Sequence, residues 1–128
     1  MPSHTFSKEE RLKSRKIISQ LFKQGVSINA FPLRLIWMPV SLPSPVFPIQ
    51  FALTVPKRAF PKATQRNRLR RLMREQYRLN KHLLYEQLNT GEQQFAWMLI
   101  YIAKEAQSHA EIEKAMLRII HRFLKNQK

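Results

Sequence analysis

The sequence predicts an α+β domain, a two-layer α/β sandwich of helices packed on a small mixed sheet, and three observations support this class. Several segments carry apolar residues three and four positions apart, which is the spacing of an amphipathic helix. Other segments alternate between two faces, as strands do. Seven of the eight prolines lie between Pro32 and Pro61, so that extended structure precedes a helical stretch. The 128 residues suit a single domain spanning residues 1–128.

The first half of the chain predicts a helix and two strands. Residues 14–24 repeat apolar side chains at helical spacing, and Gly25 follows where helices commonly end on glycine. Residues 31–40 alternate between two faces with Trp37 on the apolar one, so its ring is expected in the core. A loop with three prolines leads to a second alternating strand over residues 49–55.

The second half predicts two adjoining helices, a strand and a final helix. The first of these helices runs from Ala63 to about Asn80. The final helix begins at Ser108, because Ser108 and Glu111 have the spacing of a capping box. The elements between them are a helical stretch over residues 82–88, a turn at residues 89–91 and a continuously apolar strand over residues 95–103. The predicted order is therefore α-β-β-α-α-β-α, with at least three strands.

The composition indicates a cytoplasmic protein with an anionic partner. The formal net charge is +15, and all eight acidic residues are Glu. The chain has no cysteine, which excludes disulfides, thiolate metal sites and cysteine nucleophiles and fits a reducing compartment. The longest strongly apolar run has nine residues, fewer than the roughly 20 that a membrane helix needs, so we expect no membrane partner.

The basic residues cluster in a way that favours nucleic acid. Residues 57–81 hold ten basic residues and one acid, Glu75, whereas ordinary surfaces mix both signs. Arginine recurs every four residues from Arg66 to Arg78, which lines one helix face with guanidinium groups that bind phosphate in a two-pronged way. The helix N-terminus adds a partial positive charge. Asn67 is a poor helix former, and we interpret its amide as kept for a specific hydrogen bond.

Other functions are weighed against this one. A protein-only nuclease needs clustered carboxylates to hold Mg²⁺, but the sequence has no Asp and its Glu residues are scattered. The four histidines show no ligand spacing, so we expect no zinc site held by the protein. A small basic ribosomal protein or an RNA chaperone remains an alternative, because composition alone does not separate these RNA-binding proteins.

Four segments together resemble the protein subunit of bacterial ribonuclease P. The most specific is QRNRLRRLMRE at residues 65–75, which is similar to the arginine-rich RNR motif of that family. LTVPKRAFPKA just before it resembles the strand and turn that lead into the family's RNR helix. The opening FSKEERLKSRKIISQLFKQG and the later WMLIYIAKEA resemble the family's first helix and last strand. These segments span most of the chain in the family's order.

The resemblance implies a fold like the second domain of ribosomal protein S5, with a left-handed βαβ crossover against the usual right-handed rule. It implies two partners, the catalytic RNA of ribonuclease P and the 5′ leader of precursor tRNA, which is removed endonucleolytically to give the mature 5′ end. The RNA subunit would be catalytic and would hold most of the Mg²⁺. The protein would bind no cofactor alone, would have no catalytic centre, and would be a monomer with one copy per RNA.

The resemblance also implies two RNA surfaces on the protein. The residues facing the catalytic RNA would be Arg66, Asn67, Arg68, Arg70, Arg71 and Arg74. The residues near the cleavage site and the leader would be Lys57, Arg58, Lys62, Lys104, Phe22, Arg34 and Ile18, with a leader cleft between the first helix and the sheet. Two positions depart from the family, since Ile18 replaces a usual aromatic and Phe60-Pro61 stands where many members have glycine. Two interpretations of Phe22 stay open: its ring stacks on a base of the leader, or it anchors the first helix in the core.

Overall fold

The computed structural model describes residues 10–41, 47–88 and 93–127, and in these ranges the chain forms three helices and four strands. In chain order they are α1 (Arg15–Gln24), β1 (Val26–Ala30), β2 (Leu33–Val40), β3 (Ile49–Thr54), α2 (Ala63–Gln87), β4 (Gln94–Tyr101) and α3 (His109–Asn126). The α+β class predicted from the sequence is confirmed.

The strands form one mixed sheet in the order β1-β2-β4-β3. β2 pairs antiparallel with β1 and with β4, whereas β3 pairs parallel with β4. A parallel pair needs a long connection across the sheet, and α2 supplies it between β3 and β4. The left-handed course of this crossover stays a prediction from the resemblance.

Helices cover both faces of the sheet, which is one layer more than the two predicted. On one face α2 and α3 bury the larger core, where the rings of Trp37 and Trp97 meet Phe123 edge to face with centroids 5.0 and 4.9 Å apart. On the other face α1 packs Leu21 into a smaller apolar cluster with side chains of β2 and β4. The core position predicted for Trp37 is confirmed, and Tyr101 is buried with it.

The observed order differs from the predicted order at two points. Residues 26–30 form β1, for which the sequence predicts no element. The strand is short and only Ile28 and Ala30 reach the core, so its pattern is weak. The two helices predicted over residues 63–88 are one continuous helix, because Lys81 at the predicted break is buried and no proline or glycine interrupts the segment. The predicted turn at residues 89–91 lies outside the described residues.

The ends of α1 and α3 are determined by short-range contacts. The Ser14 and Ser108 hydroxyls each accept a hydrogen bond from a backbone N–H three residues ahead at 3.2 Å, so the predicted N-cap at Ser108 is confirmed. Gly25 follows α1 in extended backbone, with φ −71°, rather than in the left-handed conformation usual for a C-terminal glycine. A Cβ there would collide with Ile36 and with the Leu21 carbonyl, so glycine is needed for the close approach of α1 to β2.

Candidate nucleic-acid interface

The N-terminal half of α2 presents its arginines on a fixed support. Leu69, Met73 and Tyr77 are buried along the opposite side of the helix, and the Tyr77 ring stacks on Phe51 of β3 with centroids 3.9 Å apart. This packing holds the exposed side at a constant distance from the sheet. The predicted residues that lie exposed on it are Asn67, Arg68, Arg71 and Arg74.

The two ends of the four-residue arginine row have structural partners. Arg66 donates from Nη1 to the carbonyl oxygens of Phe60 and Pro61 at 2.9 and 2.8 Å, which fastens the turn before α2. Arg78 forms an ion pair with Glu75, and its hydrogen bond lowers the pKa of the Glu75 carboxyl. The charge on α2 that is open to a ligand therefore concentrates between Arg66 and Arg78.

A groove of about 620 Å³, called here the α2 groove, lies between α2 and the segment before α1. Arg70 and Arg74 of α2 face Arg11 and Lys13 across it, above side chains of β3. Asn67 accepts a hydrogen bond from Arg70 Nη1 at 3.3 Å, so its amide orients a neighbouring guanidinium. The sequence analysis missed Arg11 and Lys13, although the basic opening of the chain is a signal that could have found them.

A buried ion pair places this N-terminal segment. The Lys81 ammonium lies 2.8 and 2.6 Å from the two carboxylate oxygens of Glu10, and the Tyr85 hydroxyl donates to the same carboxylate at 2.5 Å. Lys81 is 2% exposed and Glu10 is 1% exposed. Burial raises the pKa of Tyr85, which keeps its hydroxyl a neutral donor. The Leu12 N–H also donates to the Phe51 carbonyl at 2.9 Å, so the segment is attached to β3 as well as to α2.

A second groove, of about 960 Å³, lies at the edge of the sheet where β2 begins and β3 and β4 end. The strand register sets Arg34 beside Ile100, with Thr54 on the other side of Ile100. This groove, called here the sheet-edge groove, brings together four of the residues predicted near the cleavage site and the leader: Arg34, Lys57, Arg58 and Lys104. Like charges gathered in one concavity favour an anionic ligand.

Hydrogen bonds hold the walls of the sheet-edge groove. Arg34 donates from Nε to Asn29 Oδ1 at 2.8 Å. The Tyr101 hydroxyl donates to the Glu105 carbonyl at 2.7 Å and accepts from the Gln107 N–H at 2.8 Å, which fastens the loop after β4. Burial raises the pKa of the Tyr101 hydroxyl, so it keeps its proton and remains able to donate.

The other predicted leader residues lie outside the two grooves. Phe22 is 55% exposed, which excludes the interpretation of its ring as a core anchor. Ile18 is half-buried against the smaller apolar cluster. Lys62 is exposed at the N-cap of α2. α1 thus packs on the sheet face that also carries Arg34, but Phe22 and Ile18 do not line the sheet-edge groove. Their contact with a leader stays a prediction.

These surfaces can bind and orient phosphates. His109 lies 2.9 Å from the Gln76 amide and so links α3 to α2. Within the described ranges, no three or more His, Asp or Glu side chains form a group that could hold a metal ion. In the same ranges no helix is both long and apolar enough to cross a membrane. A mixed sheet covered by helices, with a supported arginine face and two basic grooves, defines a basic α+β protein whose surface suits a polyanionic ligand.

Comparison with known proteins identifies the family. The family model described as Ribonuclease P matches residues 6–124. The ribonuclease P protein component of Porphyromonas gingivalis strain W83 is 32% identical over 125 residues, which cover 98% of this chain and 90% of that protein. The component from Chlorobaculum tepidum is 35% identical over 124 residues, covering 91% of this chain and 79% of that protein. The chain belongs to the ribonuclease P protein family, whose members are components of a tRNA-processing ribonuclease.

Solved structures agree in fold. The RNase P protein from Thermotoga maritima, in complex with 1-(4-fluorophenyl)-2-thiourea, has a TM-score of 0.68 at 24% identity, covering 88% of this chain and 98% of that one. The RNase P protein from Staphylococcus aureus has a TM-score of 0.68 at 18% identity, covering 92% of this chain and 97% of that one. The family resemblance carried by the sequence motifs is confirmed by the family model and the relatives named above.

Proposed function

We propose that this chain is the protein subunit that binds the catalytic RNA of ribonuclease P through α2 and the 5′ leader of precursor tRNA through the sheet-edge groove. The observation that carries the proposal is the exposed arginine face of α2, which the buried side of the helix holds in place. Planar guanidinium groups bind phosphate oxygens in pairs, and a helix spaces them regularly. The α2 groove extends this surface through Arg11 and Lys13.

The sheet-edge groove is the site that we propose for the leader. Its four cations come from three separate parts of the chain and converge in one concavity. A single strand of RNA carries one phosphate per nucleotide, so it can neutralise several of these cations along its length. The exposed Phe22 ring on α1 offers a face for a base farther along the strand.

The proposed role of the protein is electrostatic and positional, with the hydrolysis done by the RNA. Two of its Glu residues are engaged in structural pairs, since Glu10 is buried against Lys81 and Glu75 is paired with Arg78. We propose that Mg²⁺ is held mainly by the RNA subunit and that one copy of the protein acts per RNA in the cytoplasm. A basic protein between two RNA molecules screens their repulsion and should lower the Mg²⁺ concentration that cleavage requires.

Salt-dependent binding tests the α2 interface. Arg68→Ala should weaken binding to ribonuclease P RNA and reduce the log–log salt slope by about 0.7–0.9 for each phosphate that the protein no longer neutralises. Arg118→Ala, which removes an exposed arginine of α3 outside both grooves, is the matched control and should leave affinity and slope unchanged. Fluorescence anisotropy with labelled RNA over a range of salt measures both quantities. Equal decreases in affinity for the two variants would show that net charge alone binds the RNA and would contradict the proposal.

A further inference from the structure

Phe31 lies outside every surface described so far. It stands in the turn between β1 and β2, and at 62% it is the most exposed large apolar side chain of the described residues. Single exposed apolar side chains are common on proteins, so exposure alone decides nothing. What surrounds the ring decides whether it has a ligand.

The turn that carries Phe31 is fastened on both sides. The Ile102 N–H donates to the Pro32 carbonyl at 2.8 Å, which attaches the turn to the loop after β4. The Arg122 guanidinium donates to the Asn29 carbonyl, which attaches the end of β1 to α3. The ring therefore projects from backbone that is already ordered, and a ligand that stacks on it loses little free energy to ordering the protein.

Phe31 forms one wall of a third groove, of about 370 Å³, whose other lining residues are Ile102, Ala103, Lys104, Glu105 and Gln107. Ile102, Ala103 and Lys104 also line the sheet-edge groove. The two grooves thus share a wall, and Lys104 lines both of them. Lys104 lines one groove together with the Phe31 ring and the other together with Arg34, Lys57 and Arg58.

We propose that Phe31 stacks on an unpaired base of the RNA strand that occupies the sheet-edge groove, with Lys104 neutralising a phosphate between the two grooves. The proposal rests on the proposed function of the sheet-edge groove. A ring beside a cation at the end of a basic groove fits the alternation of base and phosphate along a single strand. A double helix does not offer the same contact, because its bases are already stacked on each other. The ligand is therefore an unpaired nucleotide.

Two polyanions distinguish stacking from charge. A short single-stranded RNA has bases and phosphates, whereas polyphosphate has the charge without bases. Phe31→Ala should weaken binding of the RNA by at least about fivefold, which corresponds to the low end of a base–aromatic stack, and should leave polyphosphate binding unchanged. Leu117→Ala, which removes a 40% exposed apolar side chain of α3 outside the grooves, is the matched control and should change neither.

An aromatic replacement provides a direct readout. Phe31→Trp should retain RNA affinity, and its indole fluorescence should change on binding RNA but not on binding polyphosphate, while Trp37 and Trp97 stay buried. The proposal is overturned if Phe31→Ala matches Leu117→Ala, or if it weakens RNA and polyphosphate binding equally. It is also overturned if Phe31→Ala abolishes self-association in sedimentation, because a second copy of the chain would then cover the ring.

Failure of this inference can be told apart from failure of the proposed function. Wild-type protein that supports cleavage of precursor tRNA by the RNA subunit sustains the proposed function. If Phe31→Ala then binds single-stranded RNA as tightly as wild type, only the stacking inference fails. If wild-type protein supports no cleavage with its cognate RNA, the proposed function fails, and the stacking inference that rests on it is withdrawn.

Discussion

Breaking the buried pair between Lys81 and Glu10 should destabilise the fold far more than breaking a surface pair. Lys81→Met leaves the Glu10 carboxylate buried without its cation, and removal of one partner of a buried pair costs about 3–5 kcal/mol. The Tyr85 hydroxyl still donates to that carboxylate, so we expect the low end of the range, about 3 kcal/mol. For 128 residues, the usual unfolding entropy per residue converts this into a melting midpoint lower by roughly 10 °C.

Urea unfolding followed by circular dichroism measures this free energy of unfolding. Arg78→Met is the matched control, because it breaks the surface pair with Glu75. The Arg78 side chain is 32% exposed and the Glu75 side chain is 44% exposed, so this change should cost about 0–1 kcal/mol. The double variant Lys81→Met/Glu10→Gln should recover most of the stability, since no buried charge is left unpaired. A cost for Lys81→Met no larger than for Arg78→Met would refute the argument that this pair holds the N-terminal segment.

Three further predictions concern the core, pH and anions. Met73→Ala should lower the free energy of unfolding by about 2–5 kcal/mol because Met73 is fully buried. Leu72→Ala should lower it less, because Leu72 is half-buried. Equal losses for the two variants in urea unfolding would contradict this. Burial raises the pKa of Tyr77, Tyr85 and Tyr101 above 10.0 in the folded protein. Above that pH the unfolded chain releases protons that the folded chain retains, so stability should fall as pH rises through this range. Tyrosinate absorbance should then appear together with loss of the helical dichroism, and its appearance in still-folded protein would count against the burial argument. Inorganic phosphate should raise the melting midpoint by binding the basic grooves of the folded state, and an unchanged midpoint would contradict that binding.

Local patterns in the sequence were sufficient for most of the fold. The alternation in β2 correctly separates Leu33, Leu35 and Trp37, which enter the larger core, from Ile36 and Met38, which enter the smaller cluster. β1 was not predictable in the same way, because its pairing with β2 supplies the stability that its own sequence of five residues does not. The burial of Lys81 in the middle of α2 was hidden, because its partner Glu10 is far away in the sequence.

The same distinction applies to the candidate site, because some of its features depend on local sequence and others on contacts between distant residues. The arginine face of α2 is a local feature and was visible in the residue spacing alone. The meeting of Arg34 with Lys104 depends on the register of β2 and β4, which the sequence does not state. The contact between Glu10 and Lys81 joins residues 71 positions apart, and no periodicity marks such a pair.

The most direct test of the central claim is cleavage of a 5′-labelled precursor tRNA at low Mg²⁺. Four reactions are compared: the purified protein alone, ribonuclease P RNA alone, the two together, and the RNA with Arg68→Ala protein. The account predicts cleavage at the mature 5′ end when RNA and wild-type protein are combined, little from RNA alone, none from protein alone, and a higher protein requirement for Arg68→Ala. Cleavage by the protein alone would contradict the claim that its role is positional. Equal cleavage by the cognate RNA with and without protein would contradict the claim that the protein assists it.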